Sequence, residues 1–165
     1  MASELKNLSI VSSVNLLKPS RLKIGVVYAN WNKEITHALK DGAVAQLLEN
    51  KIEKHNILEV EVPGAFELPL GAQYLLEYAH ADAVVCLGCV IQGDTKHFDF
   101  ICNGATQGIM DLNLKFNKPV VFGVLTTNTH QQALDRCGGV HGNKGVEAAQ
   151  TALLMISCKE QILNR

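Results

Sequence analysis

The chain has 165 residues, 47% of them hydrophobic, and its 15 Lys and Arg nearly cancel 16 Asp and Glu. That length favours one domain with a substantial core, and the balanced charge gives no basic footprint for nucleic acid or an anionic membrane. No apolar run reaches the ~18 residues of a membrane helix, and the N-terminus lacks the apolar block of a secretory signal, so a cytoplasmic enzyme or binding protein is expected.

Residues 1 to about 20 fit no strand or helix pattern and are expected to be a disordered arm or a strand lent to a neighbouring sheet. A single domain is expected over 21–165. Leu22 to Ala29 (LKIGVVYA) reads as the first strand. Asn30-Trp31-Asn32 follows it. Asn32 reads as the N-cap of a helix on which Ile35, Leu39, Ala43 and Leu47 recur at helical spacing. Trp31, the one tryptophan, reads either as a core anchor or as an aromatic wall for a planar heterocycle. Ile57 to Val62 (ILEVEV) alternates in part and reads as a strand nearer an edge. Val62 to Glu67 (VPGAFE) then makes a Pro-Gly turn, in which Gly64 permits close backbone approach and Phe66 offers an apolar surface. A helix should start near Pro69, which a first turn tolerates, and run to about Tyr78.

The third strand, Ala83 to Ile91 (AVVCLGCVI), stops at Gln92-Gly93-Asp94-Thr95, with His97 close behind and a helix over roughly Phe98 to Phe116. Cys86 and Cys89 form a CxxC, but residues three apart on a strand point to opposite faces. They could not ligate one ion together and read as buried structural thiols. Five cysteines, an odd number outside any loop-rich framework, argue against a disulfide scaffold. Pro119 to Thr127 (PVVFGVLTT) is the fourth strand, Gln131 to Arg136 a short helix ended by Gly138-Gly139, and Asn143 to about Leu163 the last helix, with Val146, Ala149, Leu153 and Ile156 on one face.

Strands alternating with helices give a three-layer α/β/α sandwich around a four-stranded parallel sheet. At least three strands are continuous apolar runs, as expected for burial on both faces. Ligands of such sheets sit outside the carboxyl ends of the strands, and all four strands here are followed by distinctive loops. An imidazole titrates near neutrality, so His97, at a strand end beside an anion-attracting turn and helix N-terminus, is the candidate for proton transfer. Gly93, Asp94 and Thr95 form that turn. Asp94 is an awkward neighbour for a phosphate, so backbone N–H groups or a distant cation must hold the anion, and Arg136 could supply the cation. Gly138 to Gly145 (GGVHGNKG) lacks the GK[ST] ending of a phosphate loop and no strand precedes it, and no GxGxxG follows the first strand.

VPGAFELPL, GCVIQGDTKHFDF, PVVFGVLTT and HGNKGVEAA, in this order, closely resemble the lumazine synthase (6,7-dimethyl-8-ribityllumazine synthase) family over Leu22 to Ile156. The resemblance implies a flavodoxin-like fold, assembled as homopentamers or as an icosahedral shell of twelve pentamers, with riboflavin synthase as a further partner. It implies condensation of 5-amino-6-(D-ribitylamino)uracil with 3,4-dihydroxy-2-butanone 4-phosphate, the penultimate step of riboflavin synthesis, with no metal and no organic cofactor. Trp31 then stacks on the pyrimidine. Ala65, Phe66 and Glu67 hold the ribityl chain, and the backbone of Cys89, Val90 and Ile91 reads the uracil ring. Gly93, Asp94 and Thr95 form the phosphate turn and His97 transfers protons. Phe122 and the phosphate-binding Arg136 come from the adjacent subunit. Lys144 and Glu147 lie near the same pocket.

Three positions depart from the family pattern. Gln92 stands where many members have Arg or Lys, Asp94 replaces a small residue or Glu, and Val140, beside His141, falls where a lysine is common. A flavin-holding module without turnover and a shell protein without catalysis share the sheet. The first would not need His97 or an arginine from a neighbour, and the departures at Gln92 and Val140 suit the second.

Overall fold

The computed structural model describes residues 14–164. In chain order the elements are β1 (Ile24–Ala29), α1 (Lys33–Glu49), β2 (Ile57–Val62), α2 (Leu68–Glu77), β3 (Ala83–Ile91), α3 (His97–Phe116), β4 (Val120–Thr127), α4 (His130–Leu134), β5 (Cys137–Gly139), β6 (Gly142–Asn143) and α5 (Lys144–Leu163). The four long strands pair in parallel in the order β2-β1-β3-β4. Parallel neighbours need a crossover, and α1, α2 and α3 supply it.

Strand alternation sends successive side chains to opposite faces, and each face acquires its own core. On one, Ile24, Val26, Val85 and Leu87 meet Ile35, Leu39 and Leu47 of α1 and Ala149 and Leu153 of α5. On the other, Val27, Val84 and Cys86 meet Leu68 and Ala72 of α2 and Ile109 and Leu112 of α3. Cys86 and Cys89 fall on opposite faces, as the spacing requires. All five cysteines are free. Burial pushes the Cys86 and Cys89 thiols up to about 12, so both stay protonated near neutrality. Among the described residues, no helix is long and apolar enough to cross a membrane.

The α1–α5 pair is fastened at the start of α5. Asn143 caps that helix by accepting from the Gly145 backbone N–H at 2.8 Å, and its Nδ2 donates to the Ala38 carbonyl at 2.9 Å. Gly145 lies against the Leu39 carbonyl, where a side chain would collide with backbone. Further along, buried Gln46 donates to Gln150 at 2.8 Å. The HGNKG segment is thus a docking device before it is anything else.

Five expectations are corrected. The arm is not loose throughout: Val14 N–H bonds the side chain of Asn50, the residue that ends α1, while Ser157 and Glu160 on α5 bond the Asn15 carbonyl and the Leu17 N–H of the same chain. Residues 1–13 lie outside the described residues. A short 3-10 turn, Pro19–Arg21, follows, and β1 begins at Ile24 rather than Leu22. β4 is not buried on both faces. A four-stranded sheet has two edges, β2 and β4 occupy them, and Phe122 and Thr126 on β4 are exposed. The short helix ends at Leu134, so Arg136 lies beyond it, and Thr129 caps its start. Gly138 and Gly139 end no helix. They belong to the β5–β6 hairpin, where Gly138 has φ 134°.

Candidate active site

The carboxyl ends of β1, β2 and β3 lie side by side, and the segments leaving them line a cavity of about 600 Å³. Trp31 and Asn32 come from the turn after β1, and Pro63 to Glu67 from the turn after β2. Cys89, Val90, Ile91, Gly93 and Thr95 come from β3 and its turn, and His97 from the first position of α3. Phe98 and Ile101 of α3 also line it. They went unremarked in the sequence, although Ile101 follows His97 at the four-residue helical spacing that returns to one face.

Main-chain bonds hold the mouth together. The Asn30 N–H donates to the Val62 carbonyl at 2.8 Å and the Trp31 N–H to the Pro63 carbonyl at 3.2 Å. Trp31 is 73% exposed, which removes the core-anchor reading. Phe66 is 57% exposed, and its ring rests over Gly104 of α3, where a side chain would meet it. Ala65 is buried and packs with Leu68 beneath the cavity. Glu67 lines the cavity from the same turn.

The turn after β3 is tied to β4 through the Gln92 N–H, which donates to the Thr127 carbonyl at 2.8 Å. Thr95 Oγ1 accepts from the His97 N–H at 3.4 Å. α3 therefore opens its N-terminal turn, with donors that have no helical partner, at the cavity mouth beside His97. Asp94 is exposed and lies outside the lining, so its carboxylate is no part of the cavity wall. Asn32 departs from expectation. Its side chain caps nothing, its backbone is left-handed at φ 60°, and its Nδ2 donates to the Cys89 carbonyl at 2.9 Å.

Within one chain, segments from three of the four strand ends line this cavity. β4 is an edge strand, and the residues expected from its side line a second cavity of about 820 Å³ that lies along β4 between α3 and α5. Phe122, in mid-strand and 40% exposed, lies there with Arg136, Lys144 and Glu147. Arg136 Nη1 donates to the Gln132 carbonyl at 2.9 Å, which leaves most of its five donors for other partners. Lys144 Nζ contacts both Glu147 oxygens, at 2.8 and 2.9 Å, so its charge is already paired. Within one chain, then, Lys144 and Glu147 belong to the cavity of Arg136 and not to that of His97.

The 6,7-dimethyl-8-ribityllumazine synthase family model matches residues 21–160. A protein of that name from Cytophaga hutchinsonii is 58% identical over 157 residues, covering 95% of this chain and 98% of the relative. Namesakes from Parabacteroides distasonis and Porphyromonas gingivalis are 48% and 50% identical, each covering at least 94% of this chain, with 98% and 96% of their own lengths aligned. The chain belongs to the 6,7-dimethyl-8-ribityllumazine synthase family.

Proposed function

We propose that the two cavities are halves of one active site, completed where one copy of the chain meets the next, and that this site carries out the condensation for which the family is named. The amine of 5-amino-6-(D-ribitylamino)uracil attacks the ketone of 3,4-dihydroxy-2-butanone 4-phosphate. The carbinolamine loses water to an imine, phosphate leaves, and the resulting enol tautomerises. The ribitylamino nitrogen then closes the ring on the second carbonyl with loss of water, giving 6,7-dimethyl-8-ribityllumazine. The chain is a transferase of riboflavin synthesis.

One observation carries the shared site. The exposed indole, the apolar floor and the imidazole line one cavity, while the half-exposed Phe122 and the donor-rich Arg136 line another on the edge of the sheet. Neither set makes a complete site alone. In the joined site Trp31 stacks on the pyrimidine, and the backbone of Cys89, Val90 and Ile91 reads its edge. Ala65, Phe66 and Glu67 hold the ribityl chain. The N–H groups of Gly93, Asp94 and Thr95, with Arg136 of the adjacent copy, take the phosphate. Phe122 closes over the ring, and Lys144 and Glu147 flank it as a pair. His97 moves protons between the successive intermediates.

Amine and ketone react readily once oriented. Proximity supplies roughly 7–11 kcal/mol in good cases, more than the 10²–10⁴-fold of a general acid–base group, so orientation contributes more to the rate than proton transfer does. The exposed apolar residues Phe100, Met110 and Leu114 on α3 and the open edge of β4 favour a homo-oligomer, a pentamer or a shell of twelve pentamers. Residues 1–13 are long enough to add a strand to a neighbour, and riboflavin synthase is the natural further partner. The cytoplasm is the proposed location.

The test mixes both substrates and follows the fluorescent lumazine. His97→Ala and Arg136→Ala chains, each defective alone, should regain activity when co-assembled, because roughly a quarter of the interfaces then join two intact halves. No product from the native protein removes the reaction. An active monomer, or co-assembly that restores nothing, removes the shared site.

A further inference from the structure

We infer that Asn32 is a positioning residue that aims the Trp31 ring into the cavity by clamping the end of β1 to the end of β3. The inference rests on the reading of Trp31 as the aromatic wall. An indole that is 73% exposed has little packing to hold it, so its direction is set by its backbone. That backbone is fastened on one flank by the Trp31 N–H to the Pro63 carbonyl beyond β2. On the other flank, β1 and β3 pair only as far as Tyr28 and Leu87. Two residues further along β3, Asn32 Nδ2 reaches the Cys89 carbonyl at 2.9 Å. The side-chain amide thus replaces a main-chain donor where β1 has already turned away.

The residue type follows from the geometry. At φ 60° and ψ 46° the backbone is left-handed, a region that Asn tolerates better than other non-glycine residues. The Asn32 carbonyl meanwhile starts α1 by accepting from the Ile35 and Thr36 N–H groups, at 2.9 and 3.1 Å. A short side chain with an N–H donor and a tolerance for this conformation is what the position requires. Glycine meets the second condition and fails the first. Aspartate keeps the shape but presents only oxygens to a carbonyl.

Asn32→Gly and Asn32→Asp therefore isolate the clamp from the backbone conformation. Trp31 is the one tryptophan, so its fluorescence reports on the wall without any substrate. In both variants the steady-state anisotropy of Trp31 should fall and its quenching by acrylamide should rise. The KM for the ribitylaminouracil should rise about threefold to tenfold, the worth of one hydrogen bond, with that for the phosphate substrate unchanged. Native-like anisotropy and quenching in Asn32→Gly would overturn the inference, as would an equal rise in both KM values. If Trp31 emission of the native protein does not respond to ribitylaminouracil, the aromatic-wall reading fails instead, and the anisotropy of the variants still decides whether the clamp exists.

Discussion

The cavity at the strand ends and the groove along β4 differ in how their residues are held. Trp31 and Phe66 sit on turns whose main chains are bonded to each other or seated on α3, and His97 is the first residue of α3 itself. Phe122 lies on an open edge, Arg136 in a connection between α4 and β5, and Lys144 and Glu147 on the first turn of α5. The first is built from turns at the strand ends, the second from the face of an edge strand and the helices beside it. Under the shared-site proposal, catalysis depends on assembly, because a neighbouring copy brings the guanidinium to the phosphate turn.

The largest expected effect belongs to the first cavity. His97→Ala should lower turnover by about 10²–10⁴-fold while leaving measurable product, since orientation survives the substitution. Single-turnover assays that find no product with substrate still bound would reverse the ranking of orientation over proton transfer. On the other side, Arg136→Ala removes a charge-assisted contact worth about 1.5–3 kcal/mol. It should depress kcat/KM for the phosphate substrate about 10- to 150-fold, with the uracil substrate's binding unaltered. Unchanged values for the phosphate substrate would take Arg136 out of the site and leave the groove without a role.

Gly145→Ala sharpens the contrast from the side of packing. A methyl group there meets the Leu39 carbonyl, a backbone atom that cannot step aside cheaply. Forced overpacking of this kind costs about 1–3 kcal/mol, to be read from the denaturant midpoint. Because α5 carries Lys144 and Glu147 on its first turn, the same change should disturb the groove. Trp31 fluorescence, which reports the other cavity, should hold its native value. A shift in both would mean that the two regions are mechanically one.

The two regions were also unequally legible. The strand-end cavity could be read because each of its turns follows a recognisable strand pattern, continuous or alternating, and a chain reversal there is written in Pro-Gly, Asn and Gly-Asp-Thr. The sheet edge could not be read in the same way. An apolar run such as PVVFGVLTT says that a strand buries its side chains, not what it buries them against, so edge and interior strands look alike. Phe122 and Arg136 share a groove through topology alone; Arg136 stood out as a possible cation, but only the family resemblance singled out Phe122. Asn32 was misread for a related reason. Asn before a helix is usually a cap, and nothing local reveals that β3 ends within its reach.

The smallest expected effect concerns the floor beneath the first cavity. Cys89 lines that cavity yet is 3% exposed, and Cys86 is wholly buried on the other face of the sheet. Burial raises both thiols from the ordinary 9.0 to about 12. A thiol raised in the folded state stays protonated there after its unfolded counterpart has ionised. Above pH 9 the unfolded chain therefore binds fewer protons, and stability is lost as pH rises toward 12. Each thiol contributes at most about 1.4 kcal/mol per pH unit in that window and nothing below it. Urea unfolding at pH 8 and pH 10 should show this fall, and Cys86→Ala should lessen the slope even though its cavity lowers stability at both values. An identical slope would mean that the Cys86 thiolate finds a partner in the fold.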